Sequence, residues 1–195
     1  MSRLFNLSIV WILASFVASG QTNWQLDKAH SNIGFSVAHL VVTDVPGSFK
    51  FFDGTVTTQS DDFATMKIAF TIDAASIYTA NDKRDEHLRS ADFFDVAKYP
   101  EITFKSTKVE KAGENSYRIA GELTMHGKTN PVTLDAKLRG PVSFMETTRI
   151  GVKATASLNR YDYDLKWNKT LEAGGLLVGE EVAININIEL VKQVK

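Results

Sequence analysis

The chain has 195 residues, with 22 Lys and Arg against 23 Asp and Glu and a formal net charge of −1. The acidic and basic residues are interspersed, and no basic patch or aromatic-basic interleaving indicates a nucleic-acid partner. The sequence contains no cysteine, which excludes a disulfide framework and a thiol nucleophile.

The N-terminal residues predict a signal peptide. Arg3 is followed by the largely apolar run from Leu4 to Val17, and Ala18-Ser19-Gly20 offers a small-residue cleavage site. The run is short for a bilayer span, which needs about 20 apolar residues; an uncleaved N-terminal anchor is the alternative. We therefore expect residues 1–20 to be removed. Residues 21–195 then form one exported domain, periplasmic or secreted, without stable membrane insertion.

Apolar and polar residues alternate along most of the remaining chain, which is the pattern of half-buried β-strands. In chain order, the apolar members of these runs are Ile33, Phe35 and Val37, with His39 in the same register; Phe49, Phe51 and Val56; Met66, Ile68, Phe70 and Ile72; Ile102 and Phe104; Tyr117, Ile119, Leu123 and Met125; Val132, Leu134, Ala136 and Leu138; Ile150, Val152, Ala154, Ala156 and Leu158; and Val182, Ile184, Ile186, Ile188 and Leu190. Turn signals separate the runs, among them Asp53-Gly54, His126-Gly127 and Gly140-Pro141. The sequence therefore predicts about eight or nine strands.

One charged segment, which begins near Asn81, interrupts this pattern and predicts a short helix. Thr79 or Asn81 can cap that helix. Arg84 and His87 share a helix face, with Asp85 beside them. Two interpretations remain open. Either the helix is a solvated cap on one end of a barrel, or Arg84, Asp85 and His87 turn towards the barrel mouth and bind the headgroup of a ligand.

A single open sheet of this size would leave an apolar face and two edges uncovered. The strands are therefore expected to close into an up-and-down barrel or to fold into a sandwich, with Phe93 and Phe94 anchoring the helical segment in the core. An outer-membrane barrel alternates in the same way, but the aromatic girdles that it needs are missing here. The distinction matters because a barrel of about eight strands can hold one ligand, whereas a sandwich core is filled.

The sequence offers little for catalysis or for metal binding. It contains no G-x-S-x-G and no HExxH motif, and its four histidines are scattered. His30 and Ser31 are expected to make structural hydrogen bonds near the start of a strand. No catalytic residue, metal site or cofactor is therefore predicted.

Residues 160–180 fit no strand pattern. They contain Tyr161, Tyr163 and Trp167 close to Gly174-Gly175. This aromatic segment is interpreted either as part of a second cavity wall or as a surface hairpin.

Four blocks suggest a family. They read WQLDKAHS at 24–31, GSFK at 47–50, RDEHLRSADFFD at 84–95 and GELTMHG at 121–127. With these blocks the chain resembles the YceI-like, polyisoprenoid-binding family of bacterial exported proteins. The resemblance implies a lipocalin-like barrel with a helix at one end. It further implies an elongated interior for a polyisoprenoid, a quinone or a fatty-acid-like ligand, a periplasmic location and association as a homodimer.

We therefore expect an all-β fold, an eight-stranded antiparallel lipocalin-like barrel with a short capping helix. It would bind a long apolar ligand for transport, storage or sequestration and would not be an enzyme; an enzyme that modifies a lipid in the same cavity is the alternative. The candidate ligand-binding residues, taken from strand parity and from the helix, are Phe35, Val37, His39, Phe70, Ile72, Arg84, Asp85, His87, Phe104, Ile119, Leu123, Met125, Val152 and Ile186.

Overall fold

A computed structural model describes residues 20–59, 62–169 and 176–193. Residues 1–19 of the predicted signal peptide and Gly174-Gly175 lie outside the described residues. The described residues form the strands β1 (Gln21–His39), β2 (Thr43–Phe49), β3 (Phe52–Gln59), β4 (Asp62–Asp73), β5 (Ile77–Tyr78), β6 (Glu101–Gly113), β7 (Ser116–Met125), β8 (Lys128–Phe144), β9 (Thr147–Asn159) and β10 (Val178–Gln193), the helix α1 (Asp82–Arg89), and short 3-10 turns at Ala74–Ser76 and Arg160–Tyr163. In this part of the chain, no helix has the length and apolar character that a membrane crossing requires.

Eight antiparallel strands close into a barrel in the order β1, β3, β4, β6, β7, β8, β9 and β10. Closure comes from β10, which pairs with β9 on one side and with β1 on the other. In the β1–β10 pairing, Ile33 lies opposite Ile186 and Phe35 lies opposite Ile184. The predicted barrel is confirmed, and the sandwich alternative is wrong, because the first and last barrel strands have no free edge between them.

The strand β2 continues the line of β3 along β1. Residues Gln21 to Trp24 of β1 pair with β3, and residues Ile33 to His39 pair with β2. The alternation predicts a single strand through Phe49, Phe51 and Val56, but the structure breaks it at residues 50–51. The backbone N–H of Phe51 there donates to Ser76 Oγ at 3.0 Å, outside the β1 ladder. The Phe51 side chain consequently points out of the barrel and is 67% exposed.

Apart from Phe51, the apolar members of the alternating runs face the inside of the barrel. Along β10, Ile184, Ile186 and Ile188 line the interior, whereas Asn185 and Asn187 are exposed. The barrel wall is thus apolar inside and polar outside, as the strand pattern predicts.

The helix α1 lies at one end of the barrel, which we call the helix end. Asn81 is its N-cap, and its side-chain oxygen accepts from the backbone N–H of Arg84 at 3.0 Å. Trp167 lies at the same end, because its ring is 4.8 Å from the His87 ring and 5.2 Å from the Phe93 ring. The segment after β9 is therefore packed against the helix.

Candidate ligand-binding cavity

An apolar cavity runs inside the barrel. The space open to the centre of a water molecule is about 220 Å³. All ten apolar residues predicted by strand parity line it: Phe35, Val37, Phe70, Ile72, Phe104, Ile119, Leu123, Met125, Val152 and Ile186. Their contact with a ligand stays a prediction, but the structure brings them together on one surface.

The lining contains further residues that the prediction missed. Most belong to the same alternating runs, so the pattern that found Val152 also points to Ala154, Ala156 and Leu158. Others follow no strand parity and seal the helix end, namely Leu88, Phe93, Phe94, Leu165 and Arg160. Phe93 and Phe94 are buried, so they anchor the segment after α1 as expected.

Three lining phenylalanines lie flat over glycines of the neighbouring strands. A Cβ atom added to the glycine would come within 2.3 Å of the Phe35 ring at Gly47, 2.6 Å of the Phe70 ring at Gly54 and 2.4 Å of the Phe104 ring at Gly121. Real Cβ contacts are not this short, so the absence of a side chain is what lets each ring rest on the wall. A ring that rests on the wall leaves the centre of the barrel open.

The polar side chains of α1 are used within the helical segment. Asp85 is 4% exposed and accepts from Thr79 N at 2.9 Å and from Thr79 Oγ1 at 2.5 Å. Arg84 donates from Nε to Thr79 Oγ1 and from its NH2 group to the Thr79 carbonyl, both at 2.7 Å. Neither residue lies in the cavity lining. The contacts fix the start of the helix, and a role of Arg84 and Asp85 at a ligand headgroup stays a prediction.

The two predicted histidines lie at the helix end, outside the cavity lining. His87 Nε2 is 3.0 Å from Asp92 Oδ2, and its ring stands edge-on to Phe93, with ring centres 5.0 Å apart. His39 is the last residue of β1, paired with Thr43. The structure therefore brings His87 and His39 to the helix end without placing them on the cavity wall, and their contact with ligand stays a prediction.

Arg160 is the charged member of the described lining. It is 4% exposed, and its Nε donates to the Gly179 carbonyl at 2.8 Å. The guanidinium also donates to the carbonyls of Leu165, of Trp167 at 3.0 Å and of Val178 at 3.2 Å. Arg160 thus ties the segment after β9 to the start of β10. It was missed because a single Arg in an aromatic segment gives no recognisable motif.

A cluster on the outer wall has the residue types of a metal site. The ligand atoms of Asp27, His30 and Glu189 lie within 4.8 Å of one another. However, Arg149 donates to Asp27 Oδ2 at 3.1 Å and also to Glu189, so a cation already lies between the two carboxylates. His30 Nδ1 is 3.0 Å from Asp27 Oδ2, and this hydrogen bond lowers the pKa of Asp27 and raises that of His30. The cluster is an ion network at an irregularity in β1.

Comparisons with known proteins agree with the fold. The family model described as YceI-like domain matches residues 24–190. A UPF0312 protein of Staphylococcus aureus (strain bovine RF122 / ET3-1) is 38% identical over 172 residues, which cover 86% of this chain and 96% of the relative.

Solved structures are also similar. The Campylobacter jejuni YCEI protein is 31% identical, with a TM-score of 0.68 over 87% of this chain and 97% of that one. Burkholderia cenocepacia BcnA has a TM-score of 0.73 at 24% identity, over 85% and 99% of the two chains. A polyisoprenoid binding domain from Saccharophagus degradans, implicated in plant cell wall breakdown, has a TM-score of 0.62 at 17% identity, over 90% and 100%. The last two likenesses concern the fold alone.

Proposed function

Because this chain belongs to the YceI-like family, we propose that it binds a long apolar ligand, such as a polyisoprenoid, a quinone or a related lipid, in the barrel cavity. The single observation that carries the proposal is the apolar cavity of about 220 Å³ enclosed by the strands. The Saccharophagus degradans domain with this fold, described as polyisoprenoid binding, supports the same ligand class.

The cavity volume sets how much ligand the barrel encloses. One water-sized group needs roughly 10–15 Å³ of such volume, so 220 Å³ has room for about 15 to 22 non-hydrogen atoms. Each buried methylene contributes about 0.8 kcal/mol, or about a fourfold gain in affinity. Affinity should therefore grow with chain length until the enclosed part is full.

The ligand is carried, stored or sequestered without chemical change. Apart from Arg160, the side chains in the described lining are aliphatic, aromatic or thioether groups. None of these supplies a nucleophile or a proton donor of the kind that acyl transfer or hydrolysis needs. The ligand is therefore expected to leave the protein as it entered.

The test is a binding series of straight-chain alcohols from octanol to eicosanol, measured by calorimetry. Affinity should rise about fourfold per methylene and then level off. A variant that fills the cavity, A156F, should bind weakly, whereas T155F, which adds the same ring on the exposed face of β9, should bind like the parent protein. The proposal is wrong if affinity does not depend on chain length, or if A156F and T155F lose affinity equally.

Mass spectrometry of material extracted from the natively produced protein identifies the physiological ligand. The same extract, incubated with the protein and analysed again, should contain the unmodified ligand. Accumulation of a changed species would favour the enzyme alternative.

We further propose that the protein acts outside the cytoplasm, in the periplasm or after secretion. The support is the signal-like sequence from Arg3 to Gly20. Cell fractionation and N-terminal sequencing test this, and the mature chain should begin at Gln21. The homodimer implied by the resemblance stays a prediction that analytical ultracentrifugation can test.

A further inference from the structure

Three consecutive apolar side chains project from the β1–β2 turn into solvent. Leu40 is 38% exposed, Val41 is 80% exposed and Val42 is 83% exposed. We call these three residues the apolar tip. The backbone N–H of Val42 donates to the His39 carbonyl and that of Leu40 to the Leu177 carbonyl, both at 3.0 Å, so the turn is held in place. Single exposed apolar residues are ordinary on a protein surface, whereas three in a row at a projecting turn indicate a contact.

The geometry of the turn does not explain why the apolar tip is apolar. Leu40 and Val41 have φ angles of 56° and 59°, in the left-handed region that Gly, Asn and Asp adopt most readily. At these positions Asn would be less strained and better solvated. Neither burial nor backbone conformation therefore favours the residues that are present, which points to a role outside the folded chain.

The apolar tip lies beside one end of the barrel cavity. His39, which precedes it, pairs with Val178, and Val178 lines the cavity. Arg160 donates both to the Val178 carbonyl and to the Trp167 carbonyl, so this is the helix end. A surface that touches the apolar tip is consequently next to the helix end of the cavity.

A second exposed apolar turn lies at the other end of the barrel and serves as a control. Between β8 and β9, Phe144 is 60% exposed and Met145 is 86% exposed. The strand β10 starts beside the apolar tip and ends at Gln193, which pairs with Thr147 next to this second turn. Its 16 residues span roughly 50 Å. The described lining includes no residue of 140–149, so the second turn has the same apolar character without the cavity beside it.

The size of the apolar tip fits a lipid surface and not a protein partner. A stable protein interface takes about 800 Å² and about 20–30 residues from each side, far more than three side chains on a projecting turn. A bilayer needs no complementary shape, and apolar side chains that enter it leave water. We propose that the apolar tip inserts into a lipid bilayer and holds the helix end of the barrel against it, so that ligand passes between membrane and cavity. The exchange of ligand rests on the proposed function, whereas the contact with the bilayer does not.

The contact with the bilayer is expected to be shallow, weak and reversible. The three side chains contain about ten carbon atoms, fewer than a myristoyl chain, which by itself binds membranes only marginally. Exposed charges of both signs, Asp44 after the tip and Lys169 on the neighbouring segment, accompany it. The attraction is therefore apolar, and it should persist when salt is added.

The first experiment places one fluorescent label on the turn. The chain contains no cysteine, so a single introduced cysteine is labelled alone. A nitrobenzoxadiazole label is attached to V42C or to M145C of the full mature protein, which is then titrated with phosphatidylcholine vesicles. Emission from V42C should shift to the blue as the label enters the bilayer, at low and at high salt, and emission from M145C should not shift.

The second experiment measures attachment of unlabelled protein by flotation with the same vesicles. V41N/V42N should lower the partition coefficient about tenfold, which corresponds to the loss of about two buried methylenes. Asn tolerates the φ of Val41, so the variant should fold. F144N/M145N removes exposed apolar surface at the other end and should leave the partition coefficient unchanged.

The third experiment follows radiolabelled eicosanol from the protein to the vesicles. In the parent protein the transfer rate should rise with vesicle concentration, because transfer occurs on contact. In V41N/V42N the rate should hardly depend on vesicle concentration, while affinity for octanol stays unchanged, since neither valine belongs to the described lining.

Four results would overturn the inference and leave the proposed function intact. They are a parent protein that neither floats with vesicles nor shows the V42C shift; equal losses of flotation in V41N/V42N and F144N/M145N, which would indicate general surface hydrophobicity; loss of self-association instead of flotation in V41N/V42N, which would make a second copy the occupant; and eicosanol transfer by the parent protein that does not depend on vesicle concentration. The proposed function fails separately, if the parent protein binds no alcohol of the series, and flotation still decides whether the tip contacts a bilayer.

Discussion

Replacing Gly54 with Ala tests whether the Phe–Gly pairs keep the cavity open. Gly54 lies directly opposite Phe70 in the β3–β4 ladder. A Cβ atom at this position would lie 2.6 Å from the Phe70 ring, and ordinary contact begins at 3.4 Å. The ring must therefore withdraw by about 0.8 Å, and the only free direction is towards the centre of the barrel.

The expected magnitude has two parts. Overpacking of a closely packed wall costs about 1 to 3 kcal/mol of unfolding free energy. The displaced ring also takes the place of ligand, and exclusion of one methylene weakens binding by about 0.8 kcal/mol, or about fourfold. G54A should therefore lose both stability and affinity.

Urea unfolding and the alcohol series measure the two effects. The matched control is G151A in β9, where the nearest neighbour of a new Cβ atom is Arg139 Cβ at 3.8 Å. That substitution should be neutral or should stabilise by about 0.4–1 kcal/mol. Adding F70L to G54A should restore both stability and affinity, because the smaller side chain removes the collision. The Phe–Gly explanation is wrong if G54A and G151A change the unfolding free energy and the affinity equally. It is also wrong if F70L lowers the unfolding free energy of G54A by as much as it lowers that of the parent protein.

Three other changes have defined outcomes. Val41 has a φ of 59° in the exposed β1–β2 turn, a left-handed conformation that strains a side chain with a Cβ atom. V41G should therefore raise the unfolding free energy measured in urea by about 1 to 2 kcal/mol. A lower unfolding free energy would show that the Val41 backbone is not strained. The raised pKa of His30 beside Asp27 gives stability that is present below the ordinary pKa of 6.5 and is lost as pH rises through the raised value. H30Q should therefore lower the melting temperature at about pH 5.5 but hardly at about pH 9. An equal fall in melting temperature at both pH values would contradict this reasoning. D85A leaves the buried N–H and hydroxyl of Thr79 without their acceptor, and should cost about 1 to 3 kcal/mol in thermal or urea unfolding, whereas a neutral result would contradict the network.

Strand parity predicted the barrel and much of its lining because both depend on a local period of two. Val152 and Ile186, for example, face the cavity simply as members of alternating runs. Glycines were harder to interpret. Asp53-Gly54 reads as a turn, but Gly54 lies inside β3. Its role depends on Phe70 of the neighbouring strand, and a single sequence does not show which side chains lie opposite one another.

The helix end was predicted in position but not in detail. The charged segment does form a capped helix at the end of the barrel, yet Arg84 and Asp85 turn to Thr79. The side chains of Thr79, Arg84 and Asp85 can form hydrogen bonds with one another or with a ligand, and the sequence does not distinguish these two cases. Arg160 could not be found at all, because its burial depends on the carbonyls of Leu165, Trp167, Val178 and Gly179, which only the folded chain brings around it.

An open apolar interior has an energetic consequence that connects stability with ligand binding. At about 24 cal/mol per Å³ of cavity, the space of 220 Å³ costs about 5 kcal/mol when nothing fills it. The wall does not collapse to recover this energy, because β10 closes on β1 and every barrel strand has a partner on both sides. Rings held flat over Gly47, Gly54 and Gly121 keep the space clear. The fold thus retains a void that is nearly as costly as the net stability of a small domain, and the direct way to remove that cost without unfolding is to bind a ligand that fills it.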